Sequence, residues 1–160
     1  MGLCAARLIA GLALFAGLPA AGETCAPDTL ELRGKTGVQV FHIEIADTAG
    51  ERATGLMHRG RLASSAGMLF VYPAPQHVRF WMKNTLIPLD MVFADATGTV
   101  TRVHENAVPQ DLAPIDGGEG VRYVLEINGG LAGPMGIAPG SRMRAAELDQ
   151  SVAALPCSGG

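Results

Sequence analysis

The segment from residue 77 to residue 83 places an aromatic ring and charged side chains at alternate positions. Because successive side chains of a β-strand point to opposite faces, one face of this segment would carry His77, Arg79, Trp81 and Lys83. An indole can stack on a flat group, and cations bind carboxylates or phosphates. The pattern predicts a face that binds a small anionic or ring-shaped ligand. In the alternative, Trp81 covers the edge of the core while Arg79 and Lys83 pair with surface acids.

Two acidic residues lie among apolar neighbours and are candidates for acid–base chemistry. Asp90 directly follows Ile87-Pro88-Leu89, and Glu126 lies between Leu125 and Ile127. Burial raises the pKa of a carboxyl group, and such a group can act as a general base. For Asp90 we favour a structural role, as the acceptor of hydrogen bonds from the turn at Asn84-Thr85 or as the partner of Arg52.

Most of the chain has the pattern of short β-strands. Residues 38–46 alternate apolar and polar side chains, as a half-buried strand does. Residues 67–72 form an almost continuous apolar run that Pro73 and Pro75 are expected to end. Further strands are predicted over residues 77–83, 89–94, 99–104, 121–127 and 141–148.

Two short helical pieces are expected between these strands. The sequence Thr48-Ala49-Gly50-Glu51 has the capping-box pattern, which predicts a helix over residues 49–57. A second short turn or helix is expected to follow Asn128-Gly129-Gly130. Closely spaced strands with so little helix indicate a mainly β fold, a compact β-barrel or sandwich-like single domain with two short helices.

The N-terminal residues have the organisation of a cleavable export signal. Arg7 precedes an apolar run over residues 8–18, and Pro19 and the small residues Ala20-Ala21-Gly22 follow. We therefore predict a signal peptide over residues 1–22 and a periplasmic or secreted protein with no stable membrane insertion after cleavage. A retained membrane anchor is the alternative. The remaining chain is divided into an N-terminal tail, one β-rich domain and a C-terminal tail: residues 23–37, 38–148 and 149–160.

Two cysteines remain after the predicted cleavage, Cys25 and Cys157, one near each end of the chain. An oxidising compartment favours a disulfide between them, which would tie the two tails together. Two free thiols on separate tails are the alternative. Neither cysteine has a histidine close by in sequence, so we assign no catalytic role to them.

Composition argues against several kinds of partner. Arg7 is the only charged residue before position 23, so the exported part carries 11 basic and 15 acidic residues, and no basic tract marks a nucleic-acid partner. The chain lacks the Cys-x-x-Cys and His-Glu-x-x-His spacings of zinc sites, and its methionines and histidines are scattered. We expect no metal and no cofactor.

The segment 77–83 is part of a longer set of motifs. The set comprises Glu51-Arg52, Gly55-Leu56-Met57, Arg59, Leu62, Gly67-Met68-Leu69-Phe70, Phe80-Trp81-Met82-Lys83-Asn84-Thr85, Ile87-Pro88-Leu89-Asp90, Tyr123-Val124-Leu125-Glu126 and Gly140. Over roughly residues 38–145 it resembles the domain of unknown function 192 family, uncharacterised proteins of bacteria and archaea. The resemblance implies that family's fold and no particular activity. Similar members often carry a signal peptide or an N-terminal anchor, in agreement with the predicted export.

Three functions are compatible with these residues. The leading hypothesis is a binding or accessory module of the cell envelope for a small anionic or peptide-like ligand. Its expected binding residues are Arg52, Trp81, Lys83, Asn84, Asp90 and Glu126. The first alternative is a hydrolase or transferase in which Asp90 or Glu126 is the base beside Lys83. The second is a protein-interaction module that docks an envelope protein through the Trp81 face.

Overall fold

Seven strands and one helix make up the part of the chain, residues 24–158, that the computed structural model describes. The predicted signal peptide lies outside these residues. In chain order the elements are β1 (Thr29–Gly34), β2 (Gly37–Ala46), α1 (Ala49–Thr54), β3 (Ala66–Phe80), β4 (Leu89–Ala94), β5 (Val100–Ala107), β6 (Ile115–Asn128) and β7 (Arg142–Arg144). None of the described helices is long and apolar enough to cross a membrane.

All seven strands belong to one sheet in the order β5-β4-β6-β3-β2-β1-β7. Every pair is antiparallel except β2 and β3, which are parallel and are connected through α1. The sheet curls until its two outer strands approach each other, where Thr99 forms an isolated bridge with Arg142 and the Val100 amide donates to the Ser141 carbonyl at 2.8 Å. The result is a half-barrel, which confirms the predicted mainly β fold.

The capping box predicted for α1 is present. The Thr48 hydroxyl accepts from the Glu51 amide at 3.2 Å, and the Glu51 carboxylate accepts from the Thr48 amide at 3.0 Å. The helix ends at Thr54 because Gly55 leaves helical geometry with φ of 49°. Of the turn or helix expected after Asn128, the described chain forms turns, where Gly130 and Gly136 take positive φ. The expectation of two short helices was therefore wrong, because the described chain has one.

Strand β3 differs from its sequence prediction because it continues through both prolines. Its pairing with β6 is interrupted between Val71 and Gln76, so Pro73 and Pro75 lie where the ladder requires no amide donor. The strand then ends at Phe80. The predicted break at residue 73 and the predicted extension to residue 83 were therefore both wrong.

The two ends of the domain also differ from the prediction. Strand β1 lies inside the segment that was expected to be an N-terminal tail, and its Leu30 and Leu32 are fully buried. It pairs with β2 on one side and with β7 on the other. Strand β7 spans only Arg142–Arg144, shorter than the predicted strand over residues 141–148.

The sheet separates two hydrophobic cores. Alternate residues of β6 pack into different cores, Tyr123 and Leu125 into the first and Val124 into the second. The first core lies inside the curl against β1, β2 and β7, and the second lies on the other face, where Leu56 and Phe70 pack. Over residues 123–127, a side chain's parity along β6 therefore decides which environment it enters.

A disulfide joins Cys25 to Cys157, as predicted, with 5.4 Å between the two Cα atoms. The Cys157 amide donates to the Gln150 side chain at 2.7 Å, and Gln150 in turn donates to the Ala145 carbonyl at 2.9 Å. The bridge and these bonds fasten the C-terminal residues to β1, which Cys25 precedes.

We expect Cys157→Ser to lower the free energy of unfolding by about 4 kcal/mol, because the bridge closes a loop of more than 100 residues in the unfolded chain. Urea denaturation of the oxidised protein and the variant measures the difference. Reducing agent should destabilise the wild type to the same degree and leave the variant unchanged. Equal urea midpoints for wild type and variant would contradict this role of the bridge.

Candidate functional site

A small cleft opens beside the C-terminal end of α1, and we call it the Glu126 cleft. It has a volume of about 40 Å³. Glu126 of β6 lies in it together with Arg52, Gly55, Phe70, Phe80, Trp81 and Thr85. The cleft therefore brings together three of the predicted binding residues, Arg52, Trp81 and Glu126, which come from three separate parts of the chain.

The carboxyl group of Glu126 is buried without a partner. The residue is only 5% exposed, and in the described chain its carboxyl has neither a hydrogen bond nor an ion pair. Its cross-strand neighbours are Met68 of β3 and Met91 of β4, which are apolar. Burial raises the pKa of Glu126 to about 8, so this carboxyl group is protonated in most molecules at neutral pH.

Gly55 keeps this cleft open. Its φ of 49° and ψ of −136° are disfavoured for any residue with a side chain. A Cβ atom here would lie 3.1 Å from the Phe70 ring and 3.9 Å from Oε2 of Glu126. Gly55 was not among the predicted site residues, although a glycine directly after a capped helix was a signal for it.

Arg52 contributes to the wall of the cleft but is held by other groups. Its Nη1 donates to the Val71 carbonyl at 2.8 Å and also to the Asp47 carbonyl. Its guanidinium carbon lies 5.0 Å from the centre of the Tyr72 ring. Burial raises the pKa of Tyr72, and the nearby Arg52 partly opposes that shift. Arg52 therefore fixes α1 to β3, and it does not neutralise Glu126.

Trp81 lies at the mouth of the cleft with half of its surface exposed. Although β3 has already ended, the alternation of side chains persists, so that Val78 and Met82 are buried while Trp81 and Lys83 point outward. The Lys83 ammonium lies 5.1 Å from the centre of the indole ring. The indole and one predicted cation are thus in contact at the surface.

Asn84 holds the loop that carries Trp81. It takes a positive φ of 54°, and its carbonyl accepts from the His58 amide at 2.8 Å. Its Nδ2 lies 4.0 Å from the sulfur of Met57. These contacts join residues 81–85 to the turn after α1, so that Asn84 shapes the cleft without lining it.

His77 is also exposed, and it pairs with two acids of β6. Its Nε2 lies 2.6 Å from a carboxylate oxygen of Asp116, and its Nδ1 lies 3.2 Å from Glu119. The hydrogen bond from His77 is the main reason that the pKa of Asp116 is lowered. On this segment the indole therefore contacts Lys83, whereas His77 contacts surface acids.

Asp90 lies on the opposite face of the sheet from Glu126. The register pairs Asp90 with Ile127 and Met91 with Glu126, so the two acids project into different cores. Asp90 and Glu126, both among the expected binding residues, therefore do not share a pocket, because the strand register separates them. Lys83 and Asn84 likewise do not line the Glu126 cleft.

Three backbone amides surround the fully buried carboxylate of Asp90. Those of Asn106 and Gly130 donate to Oδ1 at 2.6 and 2.8 Å, and that of Ala132 donates to Oδ2 at 2.7 Å. The predicted partners, Arg52 and the turn at Asn84-Thr85, were wrong. Asp90 instead joins the end of β5 to the turn that follows β6, which is a structural task.

The donor set of the cleft contains one carboxyl group. Within residues 24–158 no three His, Cys, Asp or Glu side chains come together in a way that could hold a metal ion. The hydroxyl of Thr85 donates to the Lys83 carbonyl at 3.3 Å, which fixes the loop. The arrangement suits a ligand group that donates hydrogen bonds to Glu126 and packs on aromatic rings.

The curled sheet of seven strands, with a small cleft at Glu126, defines this as a small, mainly β domain. The chain belongs to the domain of unknown function 192 family, described as "Uncharacterized ACR", whose sequence profile matches residues 30–145. This match confirms the resemblance seen in the motifs. No curated protein matches the chain.

Two solved structures are similar to the chain over most of its length. One, from Sinorhizobium meliloti 1021 and described as a candidate transcription regulator, is 40% identical with a TM-score of 0.73 and covers 78% of this chain and 98% of its own. The other, a protein of unknown function from Novosphingobium aromaticivorans DSM 12444, is 38% identical with a TM-score of 0.72. It covers 80% of this chain and 99% of its own.

Replacement of Asp90 by alanine should destabilise the fold strongly, because three amides that now donate to the carboxylate would lose their acceptor. We expect a loss of about 3 kcal/mol or more in the free energy of unfolding. The free energy of unfolding of Asp90→Asn should fall between those of the wild type and Asp90→Ala. The asparagine side-chain oxygen can still accept a hydrogen bond, whereas its NH₂ group faces a backbone N–H donor. Urea denaturation measures all three proteins, and wild-type stability of Asp90→Ala would refute the structural role.

Replacement of Glu126 by glutamine should alter how stability depends on pH. Between about pH 4.5 and pH 8 the folded protein keeps a proton that the unfolded chain releases, so the wild type loses stability as the pH rises through this range. Glutamine does not ionise. The variant should gain on the order of 3 kcal/mol relative to the wild type between pH 4.5 and pH 7.

Urea denaturation at several pH values checks this prediction. Glu119→Gln is the matched control, since Glu119 lies on the same strand with an exposed side chain. The control should follow the wild type. A stability difference between Glu126→Gln and the wild type that does not change with pH would contradict the buried, protonated state.

Proposed function

We propose that this protein is an exported binding module of the cell envelope that holds a peptide-like ligand at the Glu126 cleft. One observation carries the proposal: a carboxyl group without a partner lies at a preformed cleft beside a half-exposed tryptophan. A buried polar group without a partner destabilises a fold, and a bound ligand can supply the missing donor. Clefts with aromatic walls and few polar groups are the usual form of small-ligand sites.

The chemistry of the cleft favours the peptide-like ligand over the anionic one. Arg52 is its only lining cation, and two backbone carbonyls and the Tyr72 ring already occupy the guanidinium. Lys83 lies over the indole outside the lining. Glu126 would repel an anion when ionised, whereas it accepts hydrogen bonds from N–H groups in either protonation state through a free oxygen.

Export is supported by the cysteines together with the N-terminal sequence. Disulfides persist in oxidising compartments, and the bridge from Cys25 to Cys157 joins the two ends of the described chain. The apolar run over residues 8–18 with its small-residue end fits a signal peptide. We place the mature protein in the periplasm or outside the cell.

Docking of a partner protein is a second candidate function. Two loops carry four exposed apolar side chains: Trp81, Leu86, Val108 and Leu112. The loops are joined by hydrogen bonds from the Met82 amide to the Asp111 carbonyl at 2.9 Å and from the Gln110 amide to the Thr85 carbonyl at 3.1 Å. Exposed apolar patches of this kind often contact other proteins.

Catalysis and nucleic-acid binding have less support. A hydrolase would need a second reactive group beside Glu126, and the two lining hydroxyls, on Thr54 and Thr85, each donate to a backbone carbonyl. Although one similar structure is described as a candidate transcription regulator, this chain has a formal net charge of −3, and its described helix has six residues. We propose no nucleic-acid partner for it.

A screen of dipeptides and tripeptides against the mature protein tests the proposed function. Trp81 is the only tryptophan, so its fluorescence and its indole N–H signal in NMR report directly on the cleft. A ligand at 100 times its dissociation constant should raise the free energy of unfolding by about 2.7 kcal/mol. Absence of any peptide that shifts the Trp81 signals would refute the proposal.

Two glycines of the same region provide the matched variants. Gly55→Ala would place a methyl group in the cleft, whereas a Cβ on Gly50 meets open space. Binding should weaken at least tenfold in Gly55→Ala and stay unchanged in Gly50→Ala. Because Gly55→Ala is also strained, Trp81→Ala serves as a second cleft variant, with binding followed by calorimetry. Full affinity in both cleft variants would place the ligand elsewhere.

A further inference from the structure

We propose that the Glu126 cleft binds the ammonium group of a primary amine, which forms an ion pair with the ionised carboxyl group of Glu126. This inference rests on the proposed function, since it assumes that the cleft is a ligand site. It adds the chemical identity of the group that enters.

The carboxyl group of Glu126 requires a donor that the described chain does not supply. Both of its oxygens can accept hydrogen bonds when it is ionised, and neither has a partner among residues 24–158. Arg52, the lining cation, is directed to the carbonyls of Asp47 and Val71. An ammonium group brings three donors and one positive charge, which match the two unused oxygens and the negative charge.

The walls of the cleft favour a cation. Phe70 and Phe80 meet edge to face with ring centres 5.2 Å apart, and Trp81 lies at the mouth. Aromatic rings attract cations through the negative potential of their faces, and Trp81 already receives the Lys83 ammonium at 5.1 Å. An anion would be repelled by the ionised carboxyl group of Glu126.

The cleft is small and opens at the half-exposed Trp81, with a volume of about 40 Å³. A compact group such as an ammonium fits this space, and the rest of the ligand would extend outward past the indole.

Binding requires that a proton leave the protein. Because the pKa of Glu126 is about 8, its carboxyl group is neutral at pH 6.5 before a ligand binds, whereas an alkylamine is already protonated at this pH. The carboxyl O–H bond therefore breaks, its proton passes to solvent, and the carboxylate pairs with the ammonium. The affinity should rise about tenfold per pH unit below pH 8 and level off above it.

Few other charged groups face this reaction. Arg52 approaches from α1 and Tyr72 from β3, and Lys83 lies on the loop that carries Trp81. On the neighbouring strands, the residues directly beside Glu126 are Met68 and Met91. Tyr72 stays neutral over the range tested because burial raises its pKa. The pH dependence therefore reports on Glu126.

Titration of the mature protein with n-butylamine, n-butanol and butyrate tests the inference. The dissociation constant obtained from the quenching of Trp81 fluorescence should be at least tenfold lower for n-butylamine than for either control. Calorimetry at pH 6.5 in two buffers of different ionisation enthalpy should show release of about one proton for each amine bound. Glu126→Gln should lose both the preference and the proton release, while Glu119→Gln should keep them.

Three further probes distinguish the sources of such an amine. Glycylglycine presents a peptide amino terminus, Nα-acetyl-lysine amide presents a lysine side chain, and spermidine presents a polyamine. N-acetylated glycylglycine is the control for the first. Tight binding of any one of the three amines, lost in Glu126→Gln, supports the inference and identifies its source.

The contrary outcomes separate the two proposals. If acetylated peptides bind at Trp81 as tightly as free amines and no proton is released, the ammonium inference is overturned and the binding function stands. Equal binding of n-butanol and n-butylamine overturns it in the same way. If none of the amines or peptides perturbs Trp81, both proposals are overturned.

Discussion

The pairing of β6 with both β3 and β4 is the constraint on which the rest of this structure depends. Because β6 lies between them, its side chains alternate between two cores that the sheet keeps apart. Tyr123 and Leu125 fill the inside of the half-barrel, and Val124 and Glu126 face the other side. A shift of the register by one residue would exchange these environments and remove the cleft.

The same constraint gives two buried acids opposite roles. Asp90 enters a space in which three amides point at it, so its carboxyl group accepts their hydrogen bonds and joins β4 to the end of β5 and to the turn after β6. Glu126 enters a space of methionine and aromatic side chains with no donor, so burial raises its pKa. The environments of the two acids differ in whether backbone amides point at the carboxyl group. They do not differ in how deeply the side chains are buried, since both are nearly inaccessible to solvent.

Local patterns predicted the local features of the fold. The capping box at Thr48, the outward direction of Trp81 and the pairing of Cys25 with Cys157 each follow from residue type and spacing, and each is present. The register was not predictable, because it depends on which strands meet. That is why the partners of Asp90 and its separation from Glu126 were missed.

Two strands were misjudged for related reasons. Prolines 73 and 75 usually end a strand, but here they fall where the pairing of β3 with β6 is already interrupted. In β1 the alternation of Leu30 and Leu32 was a usable signal, although so short a segment carries little weight until β2 and β7 are known to flank it. Strand propensity is a property of one segment at a time. Which backbone groups need hydrogen-bond partners depends on how all the strands of the sheet pair.

The proposed ligand site accounts for a feature of the second core that stability alone does not explain. A leucine or methionine at position 126 would fill this core without burying a polar group. Instead the chain places an unpartnered acid beside Gly55, which ends α1 and leaves space next to the carboxyl group. Such an acid is unfavourable for folding alone, and the proposed ligand would supply the donor that it lacks. The single tryptophan of the chain lies at the same cleft, which is the further reason that we propose the site there.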